Sequence, residues 1–327
     1  MIGLKEELDQ LELGQPGHFR NLTLFPLLRK PTDDEPDYIL LEDAILGQLA
    51  RVTELNGGGS VPELRFDNGG EQPVLLLDGE ELIGAKQNRV LNLTILAPPK
   101  QTLVIPVSCV EAGRWHMEAP EFKPAAHMMY SRARATRAAH VTESMRASGT
   151  RRSDQSALWD ELAVKAARVD VHSPTQAMSA LYERHALQVE EFTRAFTWQD
   201  RQAGVAFGIC GQIVGLDLLD HPATMRRIFP KLVRSYAMDA LDAPQPMTEP
   251  AHRGHLSTFL AALASAPTFA EPAVGLGKDV RLTGNQTCGA ALWAEDRFIH
   301  VYGFATNHPG PSGFRTRMSR PSRRGSR

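Results

Sequence analysis

The spacing of apolar residues changes twice along this chain and divides it into strand-rich ends and a helical middle. At the start, Leu4, Leu8 and Leu11 recur at helical spacing and predict a helix over about residues 3–13. After Gly14–Gly17 the apolar runs become short and β-favouring. NLTLFPLL, DYILLEDAI, GQLARVTEL and VPELRF each predict a strand, and the NGGGS loop at Asn56–Ser60 separates the last two. Residues 73–117 read as an antiparallel meander. Asp78-Gly79 signals a two-residue hairpin, since both turn positions favour positive φ. Strands follow at Glu80–Gly84, Arg89–Leu96 and Thr102–Val107.

From Met128 the period is helical. A basic helix is predicted over Met128–Ser148. A second, capped by Ser153 or Asp154, carries the stripe Leu158, Leu162, Ala166 and Val169. Ser173-Pro174-Thr175-Gln176 predicts a third start, with Ser173 as N-cap and Pro174 at the first helical position. The stripe from Met178 to Phe196 follows, with His185 as a packed member. Gly204–Leu218 reads as a glycine-rich hairpin. Asp220 is placed to cap a helix that Pro230 should break, and another helix covers about Pro250–Leu263. Cys288–Trp293 and Arg297–Phe304 form a closing hairpin. Strands, helices and strands in that order, without βαβ alternation, predict an α+β fold. Its N-terminal half is an antiparallel meander, its middle is helical, and C-terminal hairpins complete the sheet. Residues 1–305 form one domain in this reading, with a β-rich lobe at about 15–125 and a mixed lobe at about 126–305.

Composition narrows the class. The 327 residues are 42% apolar and 23% charged, enough to bury a core. No apolar run approaches the roughly 20 residues that span a bilayer, and the N-terminus lacks a secretory apolar segment, so a cytoplasmic protein without a membrane partner is expected. Cys109, Cys210 and Cys288 are far apart with no CxxC pair, which suggests neither a zinc site nor a disulfide framework. Each reads as a small buried hydrophobe. Six of the 36 basic residues and none of the 38 acidic ones follow Thr306. The remainder therefore carries 30 against 38, a net of −8, ahead of an Arg-rich tail at 306–327 that is expected to be disordered. An acidic body disfavours a dedicated nucleic-acid-binding protein.

The densest polar cluster is GEELIGAKQNRVLN, Gly79–Asn92. With a loop at Ala85–Asn88, Gly84 pairs with Arg89 and Glu81 with Asn92. Strand alternation then sets Glu81, Ile83, Val90 and Asn92 on one face, and Glu80 and Arg89 on the other. Lys86, Gln87, Asn88 and Arg89 sit at the loop tip. There Arg89 offers a fork and Lys86 a point charge to a phosphate. HxxH at His252 and His255 lacks a third ligand, so no metal is expected. There is no GxSxG, HExxH or GxGxxG motif.

LLLDGEELIGAKQNRVLN together with LVIPVSCVEAGRW resembles a bacterial family, the ARG-and-rhodanese/phosphatase-superfamily-associated proteins. SDQSALWDEL, HSPTQAM, GLDLLD and KLVRSYAMDAL extend the resemblance over about residues 15–305. It implies a link to ADP-ribosylglycohydrolase systems and to ADP-ribose or nucleotide metabolism, and it carries no defined catalytic signature or cofactor. The resulting expectation is a binder, hydrolase or transferase for an ADP-ribose- or nucleotide-type ligand. Glu81 and Lys86 are assigned to catalysis, and Glu80, Gln87, Asn88, Arg89 and Asn92 to binding. Trp115 and Trp159 are candidate stacking walls, and a non-catalytic sensor or an interaction protein is the alternative.

Overall fold

The computed structural model describes residues 3–31, 34–55, 60–117, 119–243 and 249–306. Most of the NGGGS loop and the Arg-rich tail beyond Thr306 lie outside them. The chain opens with helix α1 (Leu4–Asp9) and strands β1 (Glu12–Leu13), β2 (Gly17–Phe19) and β3 (Leu22–Leu28). Then come β4 (Ile39–Leu40), α2 (Leu41–Leu46), β5 (Ala50–Glu54), β6 (Glu63–Asn68), β7 (Val74–Leu76), β8 (Glu80–Gly84), β9 (Arg89–Leu91), β10 (Ile95–Ala97), β11 (Gln101–Cys109) and β12 (Phe122–Met128). The helical middle is α3 (Ser131–Ser148), α4 (Gln155–Arg168), α5 (Ser179–Arg184) and α6 (Ala186–Ala195). The hairpin β13 (Gln202–Ile209) and β14 (Gln212–Leu219) leads to α7 (Pro222–Asp242) and α8 (Arg253–Ala264). β15 (Thr268–Pro272), β16 (Lys278–Thr283), β17 (Thr287–Ala294) and β18 (Arg297–Ala305) close the chain.

The fold is α+β. Its largest sheet runs β1-β3-β13-β14-β18-β17-β16-β15, with β2 also on β3. The N-terminal strands thus pair with the C-terminal ones through β3 and β13. One face of this sheet packs on α7 and α3 through Val205, Phe207, Leu232 and Tyr236. The other packs under α1 and α8 through Leu216, Leu256, Leu263 and Val301.

A second sheet, β12-β8-β9-β11-β6-β5, curves until its edges β5 and β12 approach each other. Val52, Leu64, Phe66, Leu82, Leu91, Ile105 and Val107 fill this incomplete barrel. Its outer face meets the helical layer at Val90, Val110, Tyr130, Leu158 and Leu181.

Several sequence expectations are corrected. DYILLEDAI gives only a two-residue strand before α2, whose first turn carries Glu42 and Asp43 at the favourable end of the helix dipole and which buries Leu41 and Ala44. Asp78-Gly79 is not a hairpin turn. Only Gly79 has positive φ, and β7 pairs with β10 and β4 instead of β8. The turn bond from Glu80 N to Leu77 O forms, but Leu77 N donates to the Glu80 carboxylate and not back to the Glu80 carbonyl, so no ladder follows. The helix predicted from Ser173 starts at Ser179, because 174–177 pairs with the chain at Glu111–Gly113. His221, not Asp220, caps α7. That helix continues through Pro230, since Ile228, Phe229, Leu232 and Tyr236 are all buried against the sheet.

The β8–β9 register also differs. Glu81 pairs with Val90 and Leu82 with Arg89, two residues from the expected alignment. Gly84 (φ +128°) and Ala85 (φ +41°) leave the ladder early, and Arg114 holds both their carbonyls. A slip of two preserves the faces, so Glu81 and Arg89 still point to opposite sides of the sheet.

Candidate functional site

At one end of the barrel the inward-facing residues change from apolar to polar. Val52, Leu91 and Val107 belong to its core. Two residues farther along their strands, on the same inward face, stand Glu54, Arg89 and Cys109. Arg89 and Cys109 are direct cross-strand partners. The loop Ala85–Asn88 and the segment Glu111–Trp115 complete this mouth.

Arg89 is fully buried. Its Nη1 donates to Gln87 O and Gln87 Oε1, both at 3.1 Å, which fixes the guanidinium plane. Its Nε and Nη2 have no acceptor among the described residues. These two nitrogens form one edge of the guanidinium, the edge that grips an oxyanion in bidentate fashion. Glu54 Oε2 is likewise buried without a donor. Burial pushes the Arg89 pKa down, only partly opposed by Cys109 and Glu54.

The other groups at the mouth are tied together. Glu111 accepts from Arg114 Nε at 2.9 Å and from Asn88 N at 3.0 Å. Burial opposes ionisation there, but these partners hold the Glu111 carboxyl below its ordinary range. Asn88 Oδ1 accepts from Gly84 N and Arg114 Nη2, and Gln87 Nε2 donates to Glu111 O. The Cys109 thiol donates to Gln87 Oε1 at 3.2 Å. Burial raises its pKa despite the Glu111 backbone N–H and Arg89, so it stays protonated at neutral pH. Gln155 on α4 bonds both the N–H and the carbonyl of Cys109 at 2.8 Å, as a neighbouring strand would. At the entrance, the half-exposed Trp115 ring lies 5.3 Å from Lys86 Nζ and 5.9 Å from the Arg89 guanidinium. Trp159 also walls a mostly apolar groove of about 580 Å³ between α4 and residues 171–178.

Of the seven residues singled out in the sequence, Lys86, Gln87, Asn88 and Arg89 gather here. The other three go elsewhere. Glu80 accepts from Leu77 N and pairs with Lys231. Glu81 meets His127 at 2.6 Å on the outer face. Asn92 accepts from Ser108 and donates to Arg151 O. Cys109, Glu111, Arg114 and Glu54 were not expected at the site, because they arrive on β5, on β11 and on the segment that follows β11. His127 lies in an unremarkable stretch of β12. Only the close spacing of Glu111 and Arg114 within the LVIPVSCVEAGRW string hinted at a further polar patch.

A second polar cluster lies between the two large sheets. Arg134 binds Asp217 through both terminal nitrogens and Asp78 through Nε, while Arg137 also reaches Asp78. His300 bridges Asp217 and Thr94, at 3.3 and 2.8 Å. A Thr-His-Asp chain of this kind has the connectivity of a nucleophile relay. Here all three members are buried and Arg134 neutralises the aspartate. Burial opposes ionisation of Asp217, yet Arg134 and His300 hold its carboxyl far below the usual range. This cluster ties the sheets together. Among the described residues no group of His, Cys, Asp or Glu is arranged to hold a metal ion, and no helix is long and apolar enough to cross a membrane.

Residues 10–304 match the family model described as ARG and Rhodanese-Phosphatase-superfamily-associated Protein domain. No curated protein and no solved structure matches the chain.

Proposed function

This chain belongs to the ARG and Rhodanese-Phosphatase-superfamily-associated Protein family, and on that premise we propose that it binds a phosphate-bearing small molecule of the nucleotide or ADP-ribose type at the barrel mouth. One observation carries the reading: the bidentate edge of the buried Arg89 has no acceptor among the described residues. A buried unpaired donor costs about 1–3 kcal/mol, and more when charged, and an oxyanion would recover that cost. Lys86 supplies a second cation, Gln87 and Asn88 lie beside it, and Trp115 offers an exposed ring on which a base stacks.

The same site favours recognition over turnover. Glu81, the expected base, faces the other side of the sheet, and the neighbouring thiol is held protonated. A ligand sensor fits the mouth best, and any hydrolysis or transfer there would draw on Glu111 or Lys86. Thermal shifts with ADP-ribose, AMP, NAD and inorganic phosphate, followed by mass analysis of the recovered ligand, test this. A saturable shift with intact ligand is expected, about 2.7 kcal/mol at a hundred times the dissociation constant. Recovery of a cleaved ligand would replace the sensor with an enzyme, and no shift with any of them would remove the nucleotide reading.

A further inference from the structure

On the opposite face of the same sheet, β12 departs from regular pairing. Pro124 pairs with Leu82 and Met128 with Glu80, so four steps along β12 oppose two along β8. Bulges of this kind re-aim side chains, and this one turns His127 onto Glu81. His127 Nε2 lies 2.6 Å from Glu81 Oε2. The imidazole stacks on Tyr182 with centroids 3.9 Å apart and planes 17° off parallel, and the Tyr182 hydroxyl is fixed on Met128 O. Glu81 is fully buried and its other oxygen, Oε1, has no donor among the described residues. A buried carboxylate oxygen without a donor costs stability and does not add to it. The His127 side chain keeps 11% exposure. Its Nδ1 has no hydrogen-bond partner within the described residues. One residue earlier, Ala126 O accepts from Arg234 Nη1, whose side chain is 27% exposed and whose other end is 3.5 Å from Glu190.

We propose that His127 is an acid–base group, with Glu81 as its positioning residue, in a site separate from the barrel mouth that takes a hydroxylated small-molecule anion such as a sugar phosphate. The Glu81 carboxylate accepts the Nε2–H and so leaves the lone pair on Nδ1 facing out. A proton from the bound hydroxyl passes to Nδ1, the O–H electron pair stays on oxygen, and Glu81 stabilises the imidazolium formed. Arg234 pairs with the anionic group.

The test uses the full chain and ribose 5-phosphate as probe. Long-range proton–nitrogen NMR of the His127 ring is expected to show the Nε2–H tautomer in the wild type and a mixture of tautomers in Glu81→Gln. Ribose 5-phosphate at millimolar concentration should perturb the His127 ring signals saturably. Arg234→Ala should weaken that at least about tenfold, the loss of one charge-assisted hydrogen bond. His127→Asn checks the assignment if Glu81→Gln fails to fold, and should abolish proton transfer while leaving the rest of the spectrum in place. Lys86→Ala should change none of these signals, which separates this site from the barrel mouth. An Nδ1–H tautomer in the wild type, or no response to ribose 5-phosphate, would overturn the proposal.

Discussion

At the scale of single residues, the polar cluster at Gly79–Asn92 was legible from composition alone, and its alternation was legible from strand geometry. Its partners were not. Arg89 is defined by Cys109 across the ladder and by Glu54 on a strand thirty-five positions earlier, and no local pattern reports that. His127 owes its place to a bulge whose only local sign is Pro124, a residue that an ordinary edge strand also accepts. The residue environment makes a chemical prediction. Burial raises the pKa of Cys109 and carries that of Cys288 up to about 12. Both thiols should therefore resist alkylation in the native protein at pH 8 and react once denatured. Peptide mapping after iodoacetamide treatment checks this, and rapid native labelling of Cys109 would mean an activated thiol at the mouth.

At the scale of elements, periodicity found the helical middle, the β13–β14 hairpin and the closing β17–β18 hairpin, but it missed β15 and β16 and misplaced starts wherever tertiary contacts supplied the caps. Segment 174–177 bonds Gly113 through Thr175 O and folds back on Ser173 in a single turn with Gln176 at φ +53°, which a helix cannot continue. The contact of α4 with β11 shows the same principle. Gln155 replaces an edge strand by bonding both backbone groups of Cys109, and Asp154 caps the helix through Ala157 N. Gln155→Ala leaves a buried strand end unpaired and should cost about 1–3 kcal/mol. Asp154→Ala, which removes only a cap, should cost about 1 kcal/mol. Urea denaturation of the two variants measures the difference, and an equal or smaller loss for Gln155→Ala would show that the mimicked strand contact contributes little.

At the scale of the whole molecule, the sequence predicted strands at both ends and an α+β class, while the pairing of β3 with β13 and the separation into two large sheets came only with the structure. Hydrophobic patterning says which face is buried but not which sheet it meets. The sheets are locked by Asp78, Arg134, Arg137, Asp217 and His300, all fully or nearly fully buried. Arg134→Met leaves two buried carboxylates short of a cation and should cost about 3–5 kcal/mol at neutral pH. The pH dependence has a definite sign. The carboxyl of Asp217 is depressed in the folded state. Its contribution is therefore complete above the unfolded value near 3.9 and is lost as pH falls toward the folded one. Wild-type stability should decline on acidification below about pH 4, and Arg134→Met should lose less over the same range. Denaturation curves from neutral pH to pH 2 test both, and equal acid slopes would show that Arg134 does not hold the Asp217 proton off.

The central claim is that the unpaired edge of Arg89 binds an oxyanion at the barrel mouth. Calorimetric titration of ADP-ribose into the wild type, Lys86→Ala and Arg89→Lys proteins tests it most directly. Saturable binding is expected in the wild type. It should be weakened at least about tenfold in Lys86→Ala, and further in Arg89→Lys, which keeps the charge but loses the bidentate edge. Equal affinity in all three proteins, or no binding by a correctly folded wild type, would contradict it.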